Sequence, residues 1–201
     1  MAGGDAAANG TNGLMIGVVC DLDDPENLGR VRVRYPHLDD EESDWMRTVN
    51  MMAGSGRGAF FRPETEDEVM VAWEHCDPRR PHLLGGVWSK TDAPPADDGK
   101  PTENNWRFIT SRSGHLIKLD DTDGSERIEV VDKDAKRRVV IDCANSKIEI
   151  TCDEGDVEIS APKGDVKIDA KNVTVNASGK MDLTATGAAT VKGQTLDLNP
   201  S

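Results

Sequence analysis

The residues best suited to chemistry are scattered along the chain, and none completes a recognised site. His75, Cys76 and His82 come closest to a metal cluster, but their spacing matches no standard zinc pattern. The stretch from Gly54 to Gly58 is glycine-rich, yet neither a helix start nor a Lys-Ser/Thr pair follows it, as a phosphate cradle requires. We therefore predict a flexible loop there, no metal site and no cofactor.

The clustered carboxylates of the chain do not indicate a catalytic site either. Asp39 to Glu42 is a run of four acids in a polar stretch, which is typical of a solvated loop. Asp23, Asp24 and Glu26 could contact calcium, but the twelve-residue ligand pattern is absent, so a turn is favoured. There is no Gly-x-Ser-x-Gly elbow, and the four histidines lie outside any triad context. We predict that the chain is not an enzyme.

The composition narrows the class of partner. The net charge is −13, from 37 acidic and 24 basic residues, and this argues against a nucleic-acid partner because phosphate binding needs a positive surface. No stretch approaches 18 apolar residues, so no membrane-spanning helix is predicted. Residues 1–13 have no early basic residue and no apolar core, so no signal peptide is predicted and the chain is expected to be made in the cytoplasm.

The strongest pattern is a repeat in residues 139–201. Two apolar residues separated by one polar residue recur every seven to nine positions, with short polar turns between them. Spacing of two is strand spacing, and the turns are too short for helical crossovers. This is a β-solenoid pattern. The apolar positions proposed as its core are Val139, Ile141, Ile148, Ile150, Val157, Ile159, Val166, Ile168, Val173, Val175, Met181, Leu183, Val191, Leu196 and Leu198.

One chain alone is too short to make a stable solenoid of this kind. About 60 residues give two to three coils, near the roughly three repeats that such folds need. Winding three chains around one axis pools their apolar edges and pairs their strand edges. We therefore predict an intertwined homotrimer, with an ordinary antiparallel meander packed on another sheet as the alternative. Cys143 and Cys152 lie one repeat apart and could occupy successive rungs.

The N-terminal part predicts a separate small barrel. Short strands are expected at Met15–Cys20, Arg30–Tyr35, Trp45–Met51, Glu68–Trp73 and His82–Trp88, which favours a five-stranded OB-type barrel. The fold class is thus all-β, an N-terminal OB barrel followed by a C-terminal intertwined triple-stranded β-helix. The predicted domains are a flexible N-terminus (1–13), the OB domain (14–90), a linker (91–105), transition strands (106–138) and the β-helix shaft (139–201).

Several motifs, in order, resemble the central spike proteins of contractile injection systems, the VgrG and phage baseplate V family. The opening motif is Gly17-Val18-Val19 followed by the stretch from Asp23 to Val33. The later ones are Trp45-Met46-Arg47, Pro63 to Val71 with Asp67-Glu68-Val69, Asp77 to Gly85, Thr110 to His115, and Leu119-Asp120-Asp121. At one position the chain departs from the family pattern, because Glu66 stands where the family usually has glycine.

The resemblance implies a trimeric needle beneath a tail tube, with OB domains around the top of a β-helix shaft. VgrG chains carry a hub domain ahead of the OB fold, and only about 13 residues precede it here, so we expect a separate hub protein. The resemblance also implies a PAAR-type tip protein at the C-terminal end. The residues predicted to bind it are Leu196, Asp197, Leu198, Asn199 and Pro200.

The predicted function is a structural central spike that joins the hub to the tip and helps to puncture a target envelope. The spike is expected to be assembled into a phage tail-like particle or virion baseplate. Its further partners there are tail tube and baseplate proteins. The alternative is an OB-fold binding module for nucleic acid or glycan on a trimeric stalk. That reading requires basic and aromatic residues on the barrel, whereas the chain is acidic with 4% aromatics. A trimeric adhesin or tail fibre is a further rival.

Overall fold

The computed structural model describes residues 13–197, which form an all-β chain with two short 3-10 turns. The chain divides into two units, residues 1–154 and residues 155–201. No helix in the described part is long and apolar enough to cross a bilayer. Residues 1–12, most of the predicted flexible N-terminus, and residues 198–201 lie outside the described range.

The first unit contains all the strands assigned within the described residues. In chain order they are β1 (Leu14–Asp21), β2 (Arg32–Tyr35), β3 (Glu41–Glu42), β4 (Arg47–Thr48), β5 (Ala53–Gly54), β6 (Arg57–Gly58), β7 (Glu68–Trp73), β8 (Pro81–Gly86), β9 (Trp106–Thr110), β10 (Leu116–Asp120), β11 (Arg127–Val131), β12 (Arg137–Asp142) and β13 (Lys147–Cys152).

The first eight strands form a curled sheet and a small hairpin. The sheet order is β3-β2-β1-β7-β8-β4, and β5 pairs with β6. A bridge between Val31 and Met46 joins the start of the β2 segment to the chain leading into β4, and β4 pairs with β8 in parallel. The two edge strands of the sheet, β3 and β4, are therefore consecutive in the chain, which brings the two edges near each other. The sheet is thus curled, as in an OB fold.

The barrel core is aliphatic with one aromatic pair. Alternate residues of β7 are buried, which is the period of a strand with one face inward. The rings of Tyr35 and Trp73 meet edge to face at 5.9 Å. Gly17 is needed for close packing, because a Cβ there would lie 2.8 Å from Val33 Cγ2. The core cluster contains Val19, Val31, Val33, Tyr35, Met46, Val69, Val71, Trp73 and Leu83.

The predicted barrel strands are reproduced except for the third. Where the sequence predicted a strand over Trp45–Met51, the structure has the two-residue β4 and the Val31–Met46 bridge. The chain then leaves the barrel to form the β5–β6 hairpin. Met46 lies in the core, but Val49 and Met51 are exposed, so the second half of the predicted strand lies on the surface.

Glu66, the departure from the family pattern, occupies a turn that favours glycine. Its φ is +74°, in the left-handed region. Its amide donates to the carbonyl of Val19 at 2.8 Å, and its carboxylate pairs with Arg34 at 2.8 Å. The side chain therefore gains an ion pair at a position where a glycine would relieve backbone strain.

The last five strands form an antiparallel meander in the order β13-β12-β11-β10-β9. Its ladder runs without a break through residues 138 and 139, where the shaft was predicted to begin. The first two apolar pairs of the repeat, Val139/Ile141 and Ile148/Ile150, face each other in the β12–β13 hairpin. In the single chain they are therefore hairpin partners instead of successive rungs, because the tight turn after Asp142 reverses the strand direction.

The same hairpin separates two cysteines that the repeat suggested could be close. Cys143 follows the end of β12, whereas Cys152 lies opposite Arg137 at its start. Six strand positions correspond to roughly 20 Å, so a disulfide between these two cysteines within one chain is excluded.

The second unit carries the rest of the repeat. Its described residues, 155–197, contain turns and bends but no assigned strand. A turn at Gly164 is closed by its amide and the Ala161 carbonyl, and Lys180 pairs with Asp182 at 2.7 Å.

The curled sheet predicts a sharp contrast between two neighbouring leucines of β8. Leu83 is fully buried and Leu84 is exposed. We expect Leu83→Ala to lower the free energy of unfolding by about 2–5 kcal/mol, because the cavity remains largely empty. Leu84→Ala should change it by less than about 0.5 kcal/mol. Urea unfolding followed by tryptophan fluorescence measures both, and equal losses would contradict this core.

Candidate functional site

The candidate site is one face of the meander, on which aliphatic side chains form two rows across the strands. The pairing register places each member directly opposite the next. The first row contains Ile109, Ile117, Val130, Val139 and Ile150. The second row contains Leu119, Ile128, Ile141 and Ile148. We call these nine side chains the aliphatic face.

The aliphatic face is uncovered in the single chain. Each of the nine side chains is exposed, from 40% for Ile128 and Ile141 to 71% for Ile148. Exposed apolar patches of this kind mark interaction surfaces in soluble proteins. The aliphatic face therefore has the composition of a core and the exposure of a surface.

The opposite face of the meander holds the charges, and it is the better covered of the two. Lys118 and Asp120 are only 5% and 4% exposed. The Lys118 ammonium lies 2.6 Å from Glu129 and 3.5 Å from Asp120. It also lies 4.0 Å from the centroid of the Trp106 ring, within the range of a cation–π contact. Arg127 completes the network, 3.2 Å from Glu129 and 3.6 Å from Asp120.

Asp120 is held as a carboxylate within this network. Burial raises the pKa of Asp120, but hydrogen bonds from the hydroxyl and amide of Thr122, together with Lys118 and Arg127, bring it below its ordinary value. The Thr122 hydroxyl donates at 2.6 Å. Asp120 is therefore ionised at neutral pH, and its buried charge is compensated by hydrogen bonds and neighbouring cations.

The repeat of the second unit has the same exposed character. Ile159, Ile168 and Leu183 are 77%, 76% and 81% exposed. The other described core positions of this unit (Val157, Val166, Val173, Val175, Met181, Val191 and Leu196) are exposed as well. Among the residues predicted to bind a tip protein, Leu196 and Asp197 are described, whereas Leu198, Asn199 and Pro200 lie outside the described residues.

Sequence reasoning missed the aliphatic face upstream of Val139. Ile109, Ile117, Leu119, Ile128 and Val130 belong to it, yet they fall in the stretch interpreted as transition strands. The signal was present in the period-two alternation of β10 and β11. It was overlooked because the turns there are irregular and the strict repeat begins later.

The candidate chemical residues do not converge. Across residues 13–197, no group of three or more His, Cys, Asp or Glu is placed to hold a metal. His82 contacts Arg47 at 2.9 Å, and His75 is exposed on a 3-10 turn. The Gly54–Gly58 stretch forms the β5–β6 hairpin. The exposed run of four acids comprises a turn at Asp39 and Asp40 followed by β3 (Glu41–Glu42).

Asp24 binds a side chain of its own loop. Its carboxylate accepts hydrogen bonds from the amides of Glu26, Leu28 and Arg30. The Arg30 guanidinium donates two more, at 2.7 and 3.1 Å. These bonds, that from the guanidinium above all, hold the pKa of Asp24 well below its usual range. The sequence predicted a turn here, and the structure adds the internal cation that closes it.

Comparison with known proteins finds a family match for the segment that forms the curled sheet. Residues 15–88 match the family described as the type VI secretion system/phage-baseplate injector OB domain. The match supports a VgrG/baseplate spike family for the segment that forms the curled sheet.

Two curated relatives agree with this assignment. The type VI secretion system spike protein VgrG4b of Pseudomonas aeruginosa is 28% identical over 114 residues, which cover 52% of this chain and 14% of that protein. The spike protein VgrG3 of Vibrio cholerae is 31% identical over 111 residues, which cover 51% of this chain and 11% of that protein. The chain thus spans less than a fifth of the length of these relatives.

The buried charge network predicts a large effect from one lysine. We expect Lys118→Ala to lower the free energy of unfolding by about 3–5 kcal/mol, because it leaves Glu129 and Asp120 without their central cation. Lys147→Ala on the same face removes an exposed pair with Glu149 and should cost less than about 0.5 kcal/mol. Urea unfolding at one protein concentration tests both, and a small loss for Lys118→Ala would show that the network is not stabilising.

The Asp24–Arg30 contact predicts a dependence on pH. The pKa of Asp24 lies well below the value of about 3.9 for an unfolded aspartate. Its contribution to stability is therefore complete above that value and is lost as the pH falls through the folded-state pKa. We expect Asp24→Asn to lower the melting temperature most near pH 7 and progressively less below about pH 4.

The neighbouring Asp23 supplies the control for this pH series. Its side chain is exposed, so Asp23→Asn should leave the melting temperature nearly unchanged at every pH. Calorimetry of the three proteins between pH 2 and pH 7 makes the comparison. A constant difference between the wild type and Asp24→Asn would contradict a carboxylate with a lowered pKa.

Proposed function

We propose that the protein is the structural central spike of a contractile tail or injection apparatus and acts as a homotrimer. The observation that carries the proposal is the exposure of the aliphatic face and of the apolar pairs in the second unit. Three copies that turned these residues toward a common axis would bury them against one another. The match to the injector OB domain supplies the setting.

A trimer would also explain why residues 155–197 contain no assigned strand. Extended segments need a partner for their amides and carbonyls. In an intertwined β-helix the partners come from the other two chains, so the segments would pair only on assembly. Stiffness along the shaft would follow from the continuous hydrogen bonding and the apolar interior, and this is the property a puncturing needle requires.

The partners follow from the same role. A hub protein would hold the spike beneath the tail tube, and a PAAR-type tip protein would cover the end near Leu196 and Asp197. The particle, a phage tail or a secretion apparatus, would carry the trimer to a target envelope. We propose a mechanical role without catalysis, because the relatives that match are named as spike proteins.

An OB-fold module that binds nucleic acid or glycan on a trimeric stalk is the competing proposal. It shares the trimer and differs in giving the barrel a ligand. The net charge of −13 disfavours nucleic acid.

Oligomeric mass tests the proposal directly. We expect light scattering after size exclusion to give three chains for the purified protein, with the trimer surviving mild SDS. Ile168→Asp should abolish the trimer, because three carboxylates would be buried near the axis. Lys167→Asp places the same side chain on the adjacent, solvent-facing position and should leave the trimer intact. A monomeric wild type, or equal behaviour of the two variants, would refute the proposal.

A further inference from the structure

The OB domain has a cleft for which the spike proposal gives no role. A space of about 810 Å³ opens between the β1–β2 loop and the chain from Arg47 to Arg62. Its apolar lining includes Leu28, Met52, Phe60 and Phe61, each more than half exposed. One edge of the Phe60 ring lies 3.0 Å from the ideal Cβ position of Gly29, which fixes the ring against the loop. We call this space the arginine cleft.

The charge of the arginine cleft is opposite to that of the chain. Arg47, Arg57 and Arg62 line it, and no aspartate or glutamate does. None of the three forms an ion pair with a carboxylate of residues 13–197; Arg47 contacts His82, and Arg62 donates to the carbonyls of Leu22 and Arg30. In a protein with 37 acidic residues, an acid-free surface with three arginines favours an occupant that carries both carboxylate and apolar groups.

The chain itself presents such an occupant at the other end of β2. After Tyr35 a 3-10 turn ends at Leu38, and Asp39 and Asp40 follow with left-handed φ values of 52° and 60°. Leu38 is exposed, and no ion pair or hydrogen bond engages the carboxylates of Asp39 and Glu41 within the described residues. We call Leu38, Asp39 and Glu41 the acidic knob.

The acidic knob cannot fill the cleft of its own barrel. The cleft lies beside the loop that precedes β2, whereas the knob follows the end of β2. The strand between them holds the two apart at about 3.3 Å per residue. A contact between knob and cleft must therefore join two copies, and a head-to-tail contact of this kind closes into a ring when three copies surround one axis.

We propose that, in the spike trimer, the acidic knob of each OB domain occupies the arginine cleft of the next copy. Leu38 enters between Met52 and Phe60, while Glu41 faces Arg57 and Asp39 faces Arg47. The inference rests on the proposed trimer, which holds the barrels at a high effective concentration, so that a weak contact suffices.

A single-stranded nucleic acid is the other occupant that arginine and phenylalanine side chains would suit. The acidic remainder of the chain repels a polyanion, and the cleft has just two aromatic rings. A second copy satisfies the same charges without that repulsion, and it supplies an apolar side chain of matching size.

Photocrosslinking from position 38 tests the contact in the full-length protein. The photoreactive residue p-benzoylphenylalanine replaces Leu38, and the sized trimer is irradiated after labelled and unlabelled chains have been refolded together. We expect a two-chain product in which mass spectrometry joins position 38 of one isotope to residues 47–62 of the other. A trimer that gives no such product, or gives a product elsewhere, would overturn the inference and leave the spike proposal intact.

Charge variants provide the matched control. Arg57→Glu should lower the yield of the two-chain product about tenfold, because like charges then face each other. Lys90→Glu makes the same change at an exposed site outside the cleft and should leave the yield unchanged. Adding Glu41→Lys to Arg57→Glu should restore most of the product.

Two further outcomes would also decide the matter. If the wild type binds a fluorescent oligothymidine and Arg57→Glu abolishes that binding, the cleft is a nucleic-acid site and the inference is wrong. If light scattering gives a single chain, the inference and the spike proposal both fail.

Discussion

A β-strand with aliphatic side chains on one face must bury that face, and this requirement dominates the chain from residue 106 onward. Covering a side chain of this size contributes roughly 1.5–3 kcal/mol. The nine members of the aliphatic face could together contribute more than the 5–15 kcal/mol that separates a typical folded domain from its unfolded state. The single chain covers none of them completely. In the proposed trimer, most of the stability that these side chains can provide would come from contacts with other copies.

The buried charge network on the opposite face is the counterpart of this arrangement. If the apolar face packs against other copies, as proposed, the polar face is the one that remains outside that interface. The ions there are tolerated because Lys118 has two carboxylates and a ring around it. Such a network contributes little net stability compared with an apolar core. The network instead disfavours the alternative packing in which the charged face of the meander takes the place of the aliphatic face. That packing would put Lys118, Asp120 and Glu129 at the apolar interface.

The sequence predicted most of the barrel because its strands follow a simple rule. β1 and β7 have clear boundaries and β7 alternates strictly, so their positions could be read directly. The third barrel strand failed because the chain between Trp45 and Met51 pairs with two different strands and then leaves the sheet. Apolar residues alone do not distinguish a strand from an exposed apolar hairpin.

The assembly surface was predicted in part, and the missing part concerns pairing. Period two shows that Val139 and Ile150 share a face, but it does not say whether their backbones pair within a chain or between chains. Choosing between these requires the turn geometry at Asp142–Lys147, where the backbone amide of Asn145 donates a hydrogen bond to the Asp142 carboxylate and closes the hairpin. The Asp24–Arg30 contact was missed for a similar reason, since a turn motif gives no information about which cation satisfies its carboxylate.

The barrel and the meander are joined weakly, and this affects how a spike would transmit force. An exposed ion pair links them, Arg112 with Glu64 at 3.0 Å, and such pairs contribute little. The chain between them, residues 91–105, contains three prolines and no assigned strand. Within one copy the link between the barrel and the meander is therefore compliant. In the proposed spike, load would pass from hub to shaft without rotating the barrels only if neighbouring barrels support one another. The proposed contact between the acidic knob and the arginine cleft would provide that support, which gives a mechanical reason for an acid-free cleft in an acidic protein.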